Sequence, residues 1–572
     1  MGDTKYLIFR ICILFCTSKK DFFSIRQDFL SSDKLAGHLW LIHVGLKEVL
    51  MPLLPNLRYM TVIYKGYWGK IALSQVFALL MAAFMIFIPM QVSSIVNHAQ
   101  DLHLAVEDAI LITLFAVLTG IFCMANVVYS VRIAEATGNY VRNGIYQKVQ
   151  ILSFGNLDTF STGELLTRLT SDIYQINIGI QLMLRAMLMA PFAILVSVVL
   201  VAFFSPTLLW ILGIVILLSL VTFGYAMMKM QKQFKARQES YDVVNTALQE
   251  NMAGIRVVKA FVRQRFENSK FKDINEDFRR TNLAPLHTNA FTLPSALFIM
   301  GVATFLLVLS GGPAVLDGTM KVGAILAFFQ YVFIIVAQMW QLSLLIPQIV
   351  SAEASAGRLR EIWNTMPDVL DQKDQQTLNS SAVTGGVIFE QVSFAYDKTG
   401  ETEALKNINL EIKPGETVAF LGANGSGKST LMSLIPRFYD PTKGRILIDG
   451  VDVRLIPQDT LRQVVGIALQ KAFLFSGKII DNVTFGNPGI IYDEAVKASE
   501  VADADGFVSN LPEKYDAPVS RKGQNFSGGQ QQRLSMARAF ATRPRILILD
   551  DSTSAVDVET EGRILNALPQ FL

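Results

Sequence analysis

Cysteine, histidine and charge are all scarce in this chain, and each scarcity removes a class of protein. Three cysteines in 572 residues, Cys12, Cys16 and Cys123, cannot build a disulfide framework. Cys12 and Cys16 share a face if that stretch is helical, but no histidine–cysteine quartet accompanies them to make a zinc site. The five histidines stand at 38, 43, 98, 103 and 287, so residues 288–572 have none. Charged residues are 17% of the chain and balance to +3, which gives no argument for a nucleic-acid partner. Apolar residues take their place. The chain is 51% hydrophobic with a mean hydropathy of +0.37, too apolar for a soluble protein of this length.

The apolar residues are gathered into runs. Tyr6 to Cys16 is about a dozen residues long, too short to cross a bilayer, and it lacks the small-residue cleavage site of a secretory signal. Residues 1–56 are therefore an unassigned extension, with Met51 or Met60 as an alternative start, since the amphipathic stretch Leu57 to Trp68 reads as a lead-in to the first span. From there, six spans of crossing length are predicted at 71–96, 106–131, 187–204, 208–228, 291–311 and 324–350. The gaps 132–186 and 229–290 are long, helical in pattern and hold 17 Lys and Arg, whereas the three short gaps hold only Lys321. The positive-inside rule puts the long gaps, and the C-terminal half after the sixth span, in the cytoplasm. The spans themselves contain almost no charge, so no ion relay is visible. In the last one Gln330, Gln338, Gln341 and Gln348 fall within an arc of about 80°, a face that either lines a cavity or hydrogen-bonds between helices. The 38 phenylalanines and 20 methionines suit an adaptable apolar pocket, and lipid-facing surface accounts for them equally well.

Residues 57–370 thus read as a transmembrane domain, the polar, turn-rich 371–386 as a linker, and 387–572 as a separate domain. Val387–Phe394, Arg445–Ile448 with its Asp449-Gly450 turn, Val464–Gln470 and Arg545–Leu549 read as strands alternating with helices, an α/β fold around a largely parallel sheet. Within it Gly422-Ala-Asn424-Gly425-Ser426-Gly427-Lys428-Ser429-Thr430 fits the P-loop, with a strand predicted at Thr417–Leu421 and a helix at Ser429–Arg437. Its glycines let successive backbone N–H groups turn toward phosphate oxygens at a helix N-terminus. Lys428 would reach the β- and γ-phosphates and the Ser429 hydroxyl would hold Mg²⁺. Further on, Ser527, Gly528, Gly529 and Gln530 follow Phe526 and open the helical pattern Gln531–Arg543, a second anion site. Two such elements far apart on one chain point to one of them serving a neighbour's nucleotide.

These motifs, in this order, resemble those of the ATP-binding cassette exporters, over roughly residues 57–572. The resemblance implies a six-span α-helical transmembrane domain followed by an α/β P-loop nucleotide-binding domain, binding ATP and Mg²⁺. It makes Tyr396 the adenine-stacking aromatic, Gln470 the glutamine that touches Mg²⁺, Asp550 the Walker B aspartate, Phe526–Gln530 the signature (with Phe where Leu is usual) and Ser554–Asp557 the D-loop. Phe160–Asp172 and Asn251–Phe261 are similar to the exporters' two cytoplasmic loops. Short coupling helices are implied near Thr159–Leu165 and Val262–Asn268, the second seating on the partner's cassette.

Two departures narrow the resemblance. The residue after the Walker B aspartate is usually the glutamate that polarises attacking water, and here it is the shorter Asp551. The chain is therefore similar to the degenerate subunit of a heterodimeric bacterial exporter of the multidrug or lipid type, its partner carrying the catalytic glutamate. Ser520 likewise stands where a glutamate is usual. The other departure is that the family's switch histidine lies on a strand beyond the D-loop, whereas the sequence stops 15 residues past Asp557. The expectation is a C-terminally truncated piece of a longer reading frame. The implied activity is ATP-driven export of a hydrophobic or amphipathic substrate (small molecule, lipid or peptide) across the plasma membrane, with Asp551 and Gln470 at the hydrolytic position. A non-transporting remnant and half of a homodimeric exporter are the alternatives.

Overall fold

The structure, a computed structural model, describes residues 55–57, 67–98, 100–371, 382–397, 402–487 and 489–572. The readings of Cys12, Cys16, Met51 and Met60, and of the linker over 372–381, lie outside them. The chain divides into two compact units. One comprises residues up to Val149 together with Thr162–Asn364, and the other Gln150–Ser161 together with Thr365–Leu572.

The first unit is helical throughout. Its six long helices are α1 (Trp68–Asn97), α2 (Leu102–Ile151), α4 (Thr162–Phe203), α5 (Pro206–Ala253), a fifth pass Gln264–Leu316 and α9 (Val322–Asn364). Between α2 and α4 the chain makes the short helix α3 (Phe154–Thr159), and after α5 a second short one, α6 (Ile255–Ala260). The fifth pass breaks at Phe291 into α7 (Gln264–Ala290) and α8 (Thr292–Leu316). Each predicted span falls on one of these passes, the third reaching one residue past Phe203, and the two long gaps are filled by their helical continuations with α3 and α6 between them.

Packing is led by α9. In its most apolar window 44% of residues are buried, against 6% for α2, so α9 is central and α2 peripheral. Lipid offers apolar side chains no incentive to leave it, so small residues that let backbones approach mark the interfaces. Ala78, Ala82, Ala193, Ala296 and Ala303 are all buried in the shared core with Phe328, Tyr331 and Ile335. A Cβ on Gly179 would stand 2.3 Å from that of Ala352. The glutamine face of α9 is not uniform: Gln338 is buried, Gln330 half-buried, and Gln341 and Gln348 are exposed.

Near its start α4 carries a buried charge cluster within a π-helical turn, Arg168–Asp172. Asp172 accepts from Ser355 Oγ at 3.0 Å and Arg358 Nε at 2.9 Å. Arg168 pairs with Glu164 and, at 2.9 Å, with Glu361. Buried charges are costly to break once paired, so this cluster fixes how α4 meets α9.

The second unit holds two kinds of sheet. Strands β1 (Val387–Ala395), β2 (Glu403–Ile412), β3 (Lys443–Ile448) and β4 (Val451–Asp452) form an antiparallel sheet in the order β2-β1-β3-β4. The Asp449-Gly450 turn joins β3 to β4 with both φ angles positive, at +48° and +84°, as a two-residue hairpin requires. β5 (Val465–Ala468) pairs in parallel with a later strand, Ile546–Leu549. Among the described residues the parallel part is this pair, so the expected largely parallel sheet is corrected to a mainly antiparallel set. The predicted strand Thr417–Leu421 is corrected too. It has no ladder partner among the described residues, and Leu421 is 94% exposed. An apolar run becomes a strand only where a neighbour takes its N–H and C=O groups.

Candidate functional site

The P-loop turns on two glycines. Gly425 and Gly427 have φ of +82° and +91°, conformations that side chains strongly disfavour. At Gly427 a Cβ would also stand 2.8 Å from Leu405 Cδ2 and 3.0 Å from the Ala404 carbonyl oxygen. The helix that follows, α10, begins at Lys428 and runs to Leu434, shorter than predicted. Lys428 Nζ donates to the carbonyls of Gly422 (2.7 Å) and Ala423 (3.0 Å). Gly422 and Ser426 face each other across the loop, since a Cβ on Gly422 would lie 2.9 Å from Ser426 Oγ. Asn424 sits exposed at the loop's turn.

Residues far apart in sequence meet beside the loop. Ser429 Oγ donates to Asp550 Oδ1 at 2.8 Å, so a hydroxyl and a carboxylate, both hard oxygen donors, converge at the foot of the P-loop. That pairing fits Mg²⁺, which takes one or two carboxylates and completes its shell with phosphate and water oxygens. Gln470 Nε2 donates to Asp551 Oδ2 at 3.0 Å. Asp551 itself has φ of +50°, a conformation that aspartate tolerates better than most residues. Tyr396, 55% exposed, shares a 3.0 Å hydrogen bond with the Thr430 hydroxyl.

The second glycine motif is built separately. Ser527 caps helix Gly528–Ala541, its Oγ accepting from Gln530 N at 3.3 Å, while Gln530 Oε1 accepts from Ser527 N at 2.9 Å. This reciprocal arrangement is a capping box. Phe526 turns inward into the core beside Phe507. Among the described residues Ser527–Gln530 make no hydrogen bond to the P-loop. Their neighbour is the D-loop: a Cβ on Gly529 would lie 2.7 Å from Ala555 O. Ser520 closes its own turn through Asn525 Oδ1 at 2.9 Å, and Asp557 caps the last helix by accepting from Thr560 N at 2.9 Å.

Several contributors have no motif to announce them. Gln532, 7% exposed, accepts from Ala555 N at 2.9 Å and donates to Ser554 Oγ at 3.2 Å, pinning the D-loop to the signature helix. Tyr439 packs edge-on to Tyr396 with ring centroids 5.3 Å apart and donates to Asp158 of α3 at 2.7 Å. Burial, reinforced by that carboxylate, pushes the Tyr439 phenol well above its ordinary range. Phe154 of α3 stacks on Phe438 at 4.1 Å. The short helices implied near Thr159–Leu165 and Val262–Asn268 are thereby corrected to Phe154–Thr159 and Ile255–Ala260. The first is set by a capping box of Ser153 and Asn156, and Gly254 precedes the second as its N-cap.

Comparisons with known proteins match this architecture. Residues 70–339 match the ABC transporter transmembrane region, and residues 405–554 the ABC transporter family. The uncharacterized ABC transporter ATP-binding protein YfiB of Bacillus subtilis (strain 168) is 34% identical over 487 residues, 84% of each chain. An ATP-dependent lipid A-core flippase of Syntrophus aciditrophicus (strain SB) is 33% identical over 433 residues, 76% of this chain and 71% of the flippase. A fatty acid ABC transporter ATP-binding/permease protein of Mycobacterium bovis (strain ATCC BAA-935 / AF2122/97) is 32% identical over 431 residues, 75% of this chain and 67% of that one. In fold, a bacterial Atm1-family ABC exporter with ATP bound aligns with a TM-score of 0.73 at 21% identity, covering 88% of this chain and 89% of that one.

Proposed function

The chain belongs to the ATP-binding cassette transporter family, as an exporter half that joins a six-span membrane domain to a cytoplasmic ATPase domain, and we propose that it supplies the slow ATP site of a paired transporter. ATP hydrolysis drives transport in this family. Asp551 carries the proposal. It follows the Asp550 that meets Ser429, where a general base for water is needed, and its carboxylate is one methylene shorter than glutamate. Its Oδ2 is engaged by Gln470 at 3.0 Å. A displacement of about 1 Å in a reacting geometry costs on the order of a hundredfold in rate.

In this site Lys428 and the P-loop amides hold the β- and γ-phosphates, Tyr396 stacks on adenine, and Ser429, Asp550 and Gln470 hold Mg²⁺, which neutralises phosphate charge when bound. Binding groups are thus complete while the base is short, a combination suited to holding ATP longer than it is split. Ser527, Gly528, Gly529 and Gln530, which make no bond to their own P-loop among the described residues, serve the nucleotide on the partner's. The relatives described as a lipid A-core flippase and a fatty acid transporter support a hydrophobic or amphipathic cargo.

The test is the fate of nucleotide on each chain of the purified pair. Azido-ATP labelled on the γ-phosphate is bound, chased with unlabelled ATP and then photocrosslinked. The γ-label should persist on this chain after it has gone from the partner. Equal loss from both chains would refute the slow-site proposal.

A further inference from the structure

Between the cytoplasmic part of α5 and the junction of α7 with α8 lies a half-open cavity of about 430 Å³. Two irregularities of the returning helix make room for it. Pro285, buried within α7, lacks the N–H that would complete the helix ladder there, and at Phe291 α7 ends before α8 begins. The volume is within the range of ligand sites. Its lining includes Tyr225, Lys229, Gln233, His287, Thr288 and Phe291, and contains no carboxylate.

The position of the cavity is set by the sequence. On α5 the apolar run ends at Met228, and Lys229, Lys232, Lys235 and Arg237 follow with no acid before Glu239. On the returning helix the chain turns apolar at Phe291. With the ATPase domain cytoplasmic after the sixth span, this boundary is the cytoplasmic surface of the bilayer, where lipid phosphates lie and basic residues between helices attract them.

Lys229 is a pure donor, and the hydroxyls, Gln233 and His287 that line the cavity with it can donate as well as accept. Lys235 reaches Glu239 at 4.0 Å, but Lys229 makes no ion pair among the described residues. Its Nζ lies 5.8 Å from the centre of the Tyr225 ring. Gln233 Oε1 accepts from Thr288 Oγ1 at 2.8 Å, which uses the amide's acceptor and leaves its N–H groups to donate. An ammonium and an amide donor with no facing carboxylate suit an anion. Below the bilayer surface, Tyr225 and Phe291, 61% and 70% exposed, offer an apolar wall to acyl chains.

We infer that this cavity binds the phosphate head of an anionic phospholipid, with Lys229 as its counter-charge and Gln233 as a hydrogen-bond donor. A zwitterionic head gains less, because its ammonium meets no carboxylate. The inference is independent of which half hydrolyses ATP.

The experiment uses the purified transporter, stripped of lipid in detergent and offered phosphatidylglycerol and phosphatidylcholine of the same acyl chains, with retained lipid counted by native mass spectrometry. Phosphatidylglycerol should be retained in preference. Lys229→Ala should lower its retention about fivefold, the contribution of one lysine near an anionic head, and Lys229→Arg should preserve it. Gln233→Leu, which leaves the charge in place, should lower retention as well. Lys235→Ala, on the same helix but outside the cavity, should change nothing. Equal retention of both lipids, no loss in Lys229→Ala, or an equal loss in Lys235→Ala would overturn the site. Displacement by inorganic phosphate alone would show a bare anion site and overturn the lipid assignment.

Discussion

At the scale of single residues, Lys428 is the group on which the proposed nucleotide site depends most directly. Its Nζ sits on two P-loop carbonyls, at 2.7 and 3.0 Å, so it is held at the loop where the proposal puts phosphate. Charge-assisted bonds of this kind are worth about 1.5–3 kcal/mol each. Lys428→Ala should therefore weaken fluorescent-ATP binding to this chain by ten- to a hundredfold, on the order those energies give. Unchanged affinity would exclude the P-loop role. Asp449 offers a pH test. It accepts from Thr384 N and Oγ1 and from Gly386 N at 2.6, 2.7 and 2.8 Å. Burial alone would raise its pKa, but the bonds from Thr384, Gly386 and Gly385 outweigh it and hold the carboxyl below its ordinary 3.8. A depressed folded pKa contributes stability above the unfolded value and loses it as pH falls through the folded one. The Tm difference between wild type and Asp449→Asn should be full at neutral pH and shrink below about pH 4; a difference that stays constant down to pH 3 would contradict it. The glycine-rich loop that opens a helix at Lys428 was legible in the sequence because its residues are contiguous. Tyr439 and Gln532 were not, because they act on Asp158 and the D-loop, and no local pattern encodes a contact across so much chain.

At the scale of elements, α3 is the one to perturb. It lies in the chain between α2 and α4 and is gripped by Tyr439 and Phe438. Tyr439→Phe removes the bond to Asp158 and keeps the ring beside Tyr396, a loss of about 1.5–3 kcal/mol for a hydrogen bond to a charged group. ATP affinity should be unchanged, while cargo-stimulated ATPase falls severalfold toward the basal rate. Unaltered stimulation would show that α3 passes nothing on. The signature helix makes a cleaner case. A Cβ on Gly528 would be 3.8 Å from Ala555 Cβ, ordinary contact, so Gly528→Asp should fold normally. It should still nearly abolish turnover of the pair by setting a carboxylate against the partner's γ-phosphate. Normal turnover would count against a shared site. The six spans were readable because bilayer thickness sets the length of the apolar stretch in each pass, about 20 residues, although the passes themselves run on to 30–53 residues. The short helices were misplaced by several residues because caps at Ser153 and Gly254, rather than apolar periodicity, set their limits. Thr417–Leu421 failed as a strand because periodicity says nothing about whether a neighbour is there to pair with.

At the scale of the whole transporter, the claim is asymmetry: two ATP sites, each built from both chains, with the slow one on this chain's P-loop. The family, the membrane placement and the ATPase activity follow from the match over both domains. The asymmetry rests on Asp551, a difference of one methylene visible in the sequence only because the motif around it is otherwise intact. Steady-state ATPase of the purified pair tests it most directly, comparing Asp551→Asn in this chain with Glu→Gln at the equivalent position of the partner. A carboxylate already poorly placed as a base has little to lose, so Asp551→Asn should cost less than about twofold, whereas loss of the partner's well-placed base should cost two decades or more. Equal, large losses from the two changes would show that Asp551 is a working base and that the two sites are alike.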